Sequence, residues 1–64
     1  MKSMDKAIND AARDLPPGKI LVIEIEKYGY GVYLEDGYGQ ICVNGDYKGI
    51  VDDIYEAIRL SQER

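Results

Sequence analysis

The sequence predicts an α+β fold of order αβββ(β)α, an antiparallel β-meander with two helices packed on one face. Between Ile20 and Val43, three strand-like segments alternate apolar and polar side chains with the period of a sheet that has one buried face. On either side of them, in residues 4–15 and 54–61, apolar side chains recur at helical spacing. The 64 residues are predicted to form one small α+β domain, residues 1–64.

The first helix is predicted from an apolar stripe that ends at a pair of prolines. Ser3 is placed to cap this helix, and Pro16-Pro17-Gly18 ends it. The stripe consists of Met4, Ile8, Ala11 and Leu15, with Ala7 and Ala12 beside it. The opposite face carries Lys6, Asp10, Arg13 and Asp14, and we expect that face to be solvated.

Two short turns set the register of three strands, at about residues 19–27, 30–35 and 38–43. We interpret Tyr28-Gly29 and Asp36-Gly37 as two-residue hairpin turns. In the resulting register Ile25 faces Val32, which faces Ile41, while Ile23 faces Leu34 and Tyr30 faces Val43. A slip by one residue would move every side chain to the other face, so the agreement of the two turns supports this sorting.

The segment after the third strand allows two interpretations. Asn44-Gly45-Asp46 is a turn signal, after which residues 47–51 could return as a short edge strand before a helix capped by Asp52. Alternatively, the second helix starts near Asp46. Gly49 inside a helix would cost about 1 kcal/mol relative to alanine, which favours the strand. In both versions Ile54, Ala57, Ile58 and Ser61 continue a buried stripe.

Composition argues against several classes of partner. The 12 acidic and 8 basic residues give a net charge of −4, which disfavours direct nucleic-acid binding. The single cysteine, Cys42, fits a reducing cytoplasm. No apolar run approaches the ~20 residues of a membrane span, and the charged start of the chain does not resemble a secretory signal. We therefore expect a cytoplasmic protein without a membrane or nucleic-acid partner.

The sequence shows no catalytic signature, so we predict that the protein is not an enzyme and uses no cofactor or metal. There is no histidine, which removes the commonest general base and the commonest zinc ligand. Gly29-Tyr30-Gly31 and Gly37-Tyr38-Gly39 lack the third glycine of a GxGxxG loop. Asp52-Asp53 with Glu56 lacks the oxygen spacing of a calcium loop and is better explained as a helix cap.

The uncovered face of the sheet is the predicted binding site. The register places Glu24, Glu26 and Glu35 there without a lysine or arginine, whereas the helical acids have basic neighbours at helical spacing. Tyr33 and Tyr38 add flat amphipathic surface of the kind found at interface hot spots. We predict that these five residues bind a protein partner with a basic surface. An ordinary solvated sheet face is the alternative.

A structural role is a competing hypothesis for the same face. Two copies of the chain could pair through it and hide Val22, Tyr33 and Cys42 in a two-fold interface. Three glutamates per copy would then need distance or partners, which makes this arrangement less attractive. Both a monomer and a homodimer remain open.

In size, acidity and αβββα architecture, the whole chain resembles the small phage-encoded inhibitors of the anti-CRISPR group. Several of those occupy the nucleic-acid-binding surface of a bacterial effector complex. The resemblance implies an inhibitor, and possible DNA mimic, that acts in the host cytoplasm. It further implies that the carboxylates of Glu24, Glu26 and Glu35 stand in for phosphates, with Tyr33 and Tyr38 anchoring the contact.

Two segments are similar to HicB-like antitoxins, which neutralise a small RNA-cleaving toxin by binding it. Residues 23–34 (IEIEKYGYGVYL) resemble their strand hairpin, and residues 53–60 (DIYEAIRL) resemble their helix. The chain departs from that pattern in two places. It lacks the proline-containing segment expected after the second strand, and it has an extra helix before the first strand.

Overall fold

A computed structural model of the chain describes residues 3–43 and 49–63. Its elements are α1 (Met4–Asp14), β1 (Ile20–Glu26), β2 (Gly29–Glu35), β3 (Gln40–Cys42) and α2 (Ile50–Gln62). The three strands form one antiparallel sheet in the order β1-β2-β3. The predicted α+β fold, with a meander between two helices, is therefore confirmed.

Helix α1 begins and ends where the sequence predicts, and Met4, Ala11 and Leu15 of the predicted stripe pack into the core, but Ile8 does not. The Ser3 hydroxyl accepts a hydrogen bond from the backbone N–H of Lys6 at 3.1 Å, as expected of an N-cap. Ala7, Asp10 and Ala11 are buried, whereas Ile8 is 48% exposed. The small alanines let α1 pack against α2, and Asp10 finds a hydrogen-bond donor there. Predicting a solvated Asp10 and a buried Ile8 was therefore wrong.

Both hairpins differ from the predicted register by two residues. Ile23, not Ile25, pairs with Val32, and Leu34 pairs with Leu21 and Ile41. The cause is that each turn sits one residue away from its predicted place. The pair Glu26↔Gly29 leaves Lys27 and Tyr28 as the first turn.

The second turn moves in the opposite direction along the chain. Asp36 donates its backbone N–H to the carbonyl of Gly39 at 3.3 Å, so Gly37 and Tyr38 form the tip. Gly37 has φ +90°, and the Asp36 carboxylate accepts the N–H of Tyr38 at 2.9 Å. A turn displaced by one residue changes the register by two, which returns every side chain to its predicted face.

The sheet consequently has an inner face toward the helices and an outer face that no described element covers. The inner face consists of Leu21, Ile23, Ile25, Tyr30, Val32, Leu34 and Ile41, and the outer face of Ile20, Val22, Glu24, Glu26, Gly29, Gly31, Tyr33, Glu35, Gln40 and Cys42. The apolar and acidic sorting predicted from the sequence holds even though the individual pairs do not.

The core lies between the inner face and the two helices. Val32, Leu34 and Ile54 have no exposed surface. Ala7 and Ala11 of α1 meet Ile54 and Ile58 of α2, and partly buried residues of β1 and both helices pack against them. Each fully buried aliphatic side chain contributes about 1.5–3 kcal/mol, and these few residues hold the fold together.

Helix α2 starts at Ile50, so neither predicted version of its start is correct. Gly49 is the N-cap, with φ +108°, and its carbonyl accepts the N–H of Asp53 at 3.1 Å. Ile50 and Val51 are helical, which excludes them from a fourth strand. Asp52 lies in the first turn and is not the cap. Gly49 precedes the helix and therefore avoids the cost that glycine carries inside one.

The remaining parts of that prediction divide into two groups. The Asn44-Gly45-Asp46 turn and residues 47–48 of the possible edge strand lie outside the described residues. The predicted buried stripe of the second helix is confirmed, because Ile54, Ala57, Ile58 and Ser61 are all buried.

Candidate interaction face

The centre of the candidate site is a pair of exposed glutamates on β1. Glu24 pairs with Gly31 and Glu26 with Gly29, so the two carboxylates stand beside backbone that carries no side chain. Their positions on one strand place them about 6.8 Å apart along it. A shallow depression of about 260 Å³ lies here, lined by Glu24, Glu26, Tyr28, Gly29, Tyr30, Gly31 and Tyr33.

Tyr33 reaches this depression by lying across Gly31. A Cβ atom placed on Gly31 would come within 2.6 Å of the Tyr33 ring and 2.7 Å of its hydroxyl oxygen. Gly31 is buried although it lies on the outer face, because the ring covers it. The missing side chain of Gly31 therefore determines where the aromatic surface of Tyr33 is presented, next to Glu24.

Glu35 lies at the other end of the outer face. It pairs with Ile20 and Gln40, and its carboxylate accepts a hydrogen bond from the Gln40 amide. It lies four positions after Gly31 in β2, a distance of about 13 Å along the strand. The row between them consists of Val22, Tyr33 and Cys42. The three predicted carboxylates thus form a pair and a separate third group.

Tyr38 is not part of the sheet. The prediction placed it on the uncovered face of the sheet, and the two-residue change of register corrects this by moving it into the turn. Tyr38 lies at the tip of the β2–β3 turn, where it is 98% exposed. Of the five predicted residues, the structure brings together Glu24, Glu26 and Tyr33, and it leaves Glu35 and Tyr38 at the opposite end.

Ion pairing differs between the helices and the sheet. Asp10 contacts Lys6 at 3.2 Å and Arg13 at 3.3 Å, and Arg59 contacts Glu56 and Glu63. Within residues 3–43 and 49–63, no ion pair joins a lysine or arginine to Glu24, Glu26 or Glu35. The outer face therefore carries negative charge that no described lysine or arginine pairs with, and the exposed Asp5 and Asp52 on the helices likewise make no ion pair with a described residue.

Two buried carboxylates were missed by the sequence analysis, and both have structural roles. Asp10 is 7% exposed and accepts the hydroxyl of Tyr55, while Asp53 is 5% exposed and accepts the hydroxyl of Tyr30 at 2.8 Å. A buried tyrosine hydroxyl needs an acceptor. The sequence did contain one indication that these carboxylates are buried. Asp10 is adjacent to Ala11, and Asp53 is adjacent to Ile54, on the buried sides of the two helices.

The Asp10–Tyr55 contact changes the ionisation of both groups. The Tyr55 hydrogen bond, helped by Lys6 and Arg13, holds the pKa of Asp10 below its ordinary value despite some desolvation. The same hydrogen bond and desolvation raise the pKa of Tyr55 to about 12. The Asp53 carboxylate likewise raises the pKa of the Tyr30 hydroxyl.

The outer face is open and offers groups that can bind charged side chains. Its carboxylates lie on an open surface, without the enclosed cleft that separates the pKa values of paired catalytic acids. Among the described residues, no group of three or more Cys, Asp and Glu side chains is arranged to hold a metal ion. Exposed carboxylates can accept hydrogen bonds from guanidinium or ammonium groups. A tyrosine ring beside the carboxylates can contact the same cationic groups through its face.

Comparisons of the chain with protein-family models, curated proteins and solved structures gave no match. In the parts of the chain that the structure describes, neither helix is long and apolar enough to cross a membrane. The geometry and charge of the outer face are therefore what supports a function for this protein.

Proposed function

We propose that this protein is a non-enzymatic inhibitor that binds a basic, nucleic-acid-binding surface of a bacterial effector through its outer sheet face. The observation that supports this function is the outer face itself, where exposed Glu24 and Glu26 carry charge that no described cation neutralises. In this proposal the protein acts in the cytoplasm of the host cell, as the resemblance to anti-CRISPR inhibitors implies.

The carboxylates of the outer face determine which partners the protein attracts. Negative charge on a rigid strand attracts a basic partner and raises the association rate, and it rejects acidic partners. Arginine side chains of the partner would form bidentate hydrogen bonds with Glu24 and Glu26, as they otherwise do with phosphates. The protein would thereby act as a mimic of the nucleic acid that it excludes.

The aromatic side chain supplies affinity that charge alone does not. Tyrosine is enriched among the few residues that dominate interface energies, especially near the centre of the contact. Tyr33 occupies the middle strand of the sheet, between the Glu24–Glu26 pair and Glu35. Tyr38, exposed on the β2–β3 turn, would contact the partner at the periphery.

The test is affinity capture from a bacterial host lysate with three forms of the protein. The site variant is Glu24→Gln/Glu26→Gln/Glu35→Gln, and the matched control is Asp5→Asn/Asp52→Asn/Glu63→Gln, which removes three exposed charges outside the sheet. We expect a basic nucleic-acid-binding protein or complex to be retained by the wild type and the control but not by the site variant. Equal retention by all three forms would contradict the proposal.

A HicB-like antitoxin function is the second candidate, and a specific observation favours it. Residues 23–34 span the β1–β2 hairpin and residues 53–60 lie within α2, the two kinds of element for which the resemblance was noted. The same capture distinguishes the two functions. A small ribonuclease retained by both the wild type and the site variant would indicate the antitoxin and not the inhibitor.

A further inference from the structure

Strand β1 forms one edge of the sheet and is well suited to pairing with another strand. It has seven residues, and on its outer side no strand of the described part of the chain pairs with it. Proteins commonly protect such an edge with charged side chains, especially lysine, with proline or with a bulge. The sequence of β1, ILVIEIE, contains neither proline nor lysine, and its two charged residues, Glu24 and Glu26, lie on the outer face.

The hydrogen-bond pattern identifies which backbone groups β1 presents at this edge. Val43 donates its N–H to the carbonyl of Val32 at 2.8 Å, so Val32 directs its backbone groups toward β3. Because the direction alternates along a strand, Gly31 and Tyr33 direct theirs toward β1, where they meet Glu24 and Val22. It follows that Leu21, Ile23 and Ile25 direct their N–H and C=O groups away from the sheet.

The side chains at this edge are apolar and incompletely covered. Ile25 is on the inner face, yet it is 76% exposed, because it lies at the end of β1 beyond the cover of the helices. Leu21 and Ile23 are only partly buried against the core. A strand placed beside β1 would cover these side chains and satisfy the edge groups of the same three residues.

We propose that the occupant of this edge is β1 of a second copy, antiparallel and centred on Ile23. Leu21 of each copy then pairs with Ile25 of the other, and the two Ile23 residues pair with each other. These are the residues whose backbone groups point outward, so all three pairs are hydrogen-bonded. On the outer face Glu24 lies opposite Val22 of the other copy, and Glu26 lies opposite Ile20.

Other registers satisfy the edge less well. Centring the pair on Glu24 places two glutamates directly opposite one another, which is destabilising. Centring it on Val22 pairs Ile25 with Lys19, whose N–H is already donated to the carbonyl of Pro16 at 3.2 Å. The Ile23 register therefore uses every outward-facing group of β1 and places no like charges directly opposite one another within the strand. Continued past the strand ends, it brings Lys19 of one copy opposite Lys27 of the other.

The dimer would have one continuous six-stranded sheet. The two-fold axis is perpendicular to this sheet, so both outer faces lie on the same side. The two Glu24 side chains would be diagonal neighbours, about 7–8 Å apart. Dimerisation should therefore tighten as salt rises, whereas the partner binding proposed above should weaken.

The test combines sedimentation equilibrium with residue-level amide exchange. We expect a concentration-dependent dimer in which the amides of Leu21, Ile23 and Ile25 exchange more slowly as protein concentration rises. Ile25→Lys places a cation opposite Leu21 twice per dimer and should raise the dissociation constant about tenfold. Gln40→Lys adds the same charge to the exposed surface of β3, the other edge strand, and should leave the dissociation constant of the dimer unchanged.

Several results would overturn the proposal. One is that the protein stays monomeric at NMR concentrations. Another is that it dimerises but the amides of Leu21, Ile23 and Ile25 exchange at a rate that does not depend on protein concentration. A dimer that resists Ile25→Lys and is broken by Gln40→Lys would place the interface on the β3 side. None of these results bears on partner binding by the outer face, which is measured separately with the glutamine variant.

Discussion

At the scale of single residues, the placement of Tyr33 depends on Gly31. The ring lies where the Cβ of any other residue at position 31 would be, as close as 2.6 Å to ring carbon. A side chain there would force the ring away, since distances under 3.0 Å are not found for real Cβ atoms. The position of the aromatic surface beside Glu24 is thus encoded by a glycine two residues earlier in β2.

This coupling predicts a difference between backgrounds in a double-mutant cycle. In the wild type, Gly31→Ala should stabilise the protein less than in a Tyr33→Ala background, because the new Cβ must displace the end of the Tyr33 side chain. In a Tyr33→Ala background the same change should stabilise by about 0.5–1 kcal/mol, because alanine loses less backbone entropy than glycine. Urea unfolding of the four proteins measures both values. Equal effects in the two backgrounds would show that the ring does not rest on Gly31.

Residue identities alone indicated which charges lie on the sheet but not which are buried in the helices. Alternation along β1 correctly placed Glu24 and Glu26 on the outer face. Asp10 and Asp53 are buried because single tyrosine hydroxyls on other elements donate to them. Such pairing joins residues 45 and 23 positions apart in the chain, and no local pattern identifies it.

At the scale of elements, the two helices are joined by a polar contact as well as by alanines. Asp10 of α1 accepts the hydroxyl of Tyr55 of α2, with Lys6 and Arg13 beside it. The pKa of Asp10 is lower in the folded protein than its ordinary value of 3.8. Its contribution to stability is therefore complete above that value and is lost as pH falls through the folded pKa.

Asp10→Asn should accordingly lower the melting temperature at neutral pH, because the charged acceptor of the Tyr55 hydroxyl is lost. The difference between variant and wild type should shrink as pH falls from 3.8 through the lower folded pKa of Asp10, over which range the wild-type carboxylate becomes protonated. Thermal unfolding followed by circular dichroism at neutral pH and over this range measures this. A difference that does not change with pH would contradict an ionised Asp10 in this contact.

The Tyr55 side of the contact has the opposite pH window. Its pKa is raised to about 12 from an ordinary value of 10.0, so its stabilisation is lost as pH rises between the two. Ultraviolet titration of tyrosine ionisation should show late-titrating groups from Tyr30 and Tyr55 in the wild type, and Tyr55→Phe should remove the later of them. A titration curve unaltered apart from the loss of an ordinary tyrosine would contradict the shift.

The start of α2 predicts a further effect of substitution. Gly49 has φ +108°, a conformation that residues with a Cβ rarely adopt, although there is open space around it. Gly49→Ala should therefore destabilise the protein by about 1–3 kcal/mol through backbone strain. Denaturant unfolding tests this, with Gly29→Ala as the control, because Gly29 has equal space and no positive φ. A neutral Gly49→Ala would contradict the cap geometry.

The elements themselves could be predicted from periodicity, and their exact pairing could not. Helical spacing located α1 and α2, and alternation located the strands. A displacement of each turn by one residue leaves the apolar pattern intact, so the sequence does not distinguish Ile23 from Ile25 as the partner of Val32. The sequence analysis weighs Gly49 only as a costly residue inside a helix. In the structure Gly49 has a positive φ and is the N-cap of the helix that begins at Ile50.

At the scale of the whole molecule, the core is small and its largest members matter most. Leu34 is fully buried on the middle strand. Leu34→Ala should cost about 2–5 kcal/mol, a large part of the total stability of a domain of this size. Calorimetry should show either a strongly reduced melting temperature or no cooperative transition. A wild-type melting temperature for this variant would contradict the assignment of Leu34 to the core.

The distribution of charge over the whole molecule is the part of the candidate site that the sequence predicted best. The helical acids Asp10, Glu56 and Glu63 contact Lys6, Arg13 or Arg59, as helical spacing indicated, and the outer face of the sheet contains no described cation. The arrangement on that face depended on the register. Glu35 is separated from Glu24 by the row of Val22, Tyr33 and Cys42, and Tyr38 belongs to a turn.

The most direct test of the proposed function is competition with nucleic acid for the captured partner. The partner is loaded with labelled nucleic acid and titrated with the wild type, the Glu24→Gln/Glu26→Gln/Glu35→Gln variant and the matched control. We predict that the wild type and the control displace the nucleic acid and that the glutamine variant does not. Formation of a ternary complex, or equal displacement by the glutamine variant, would contradict the claim that the acidic outer face covers a nucleic-acid-binding surface.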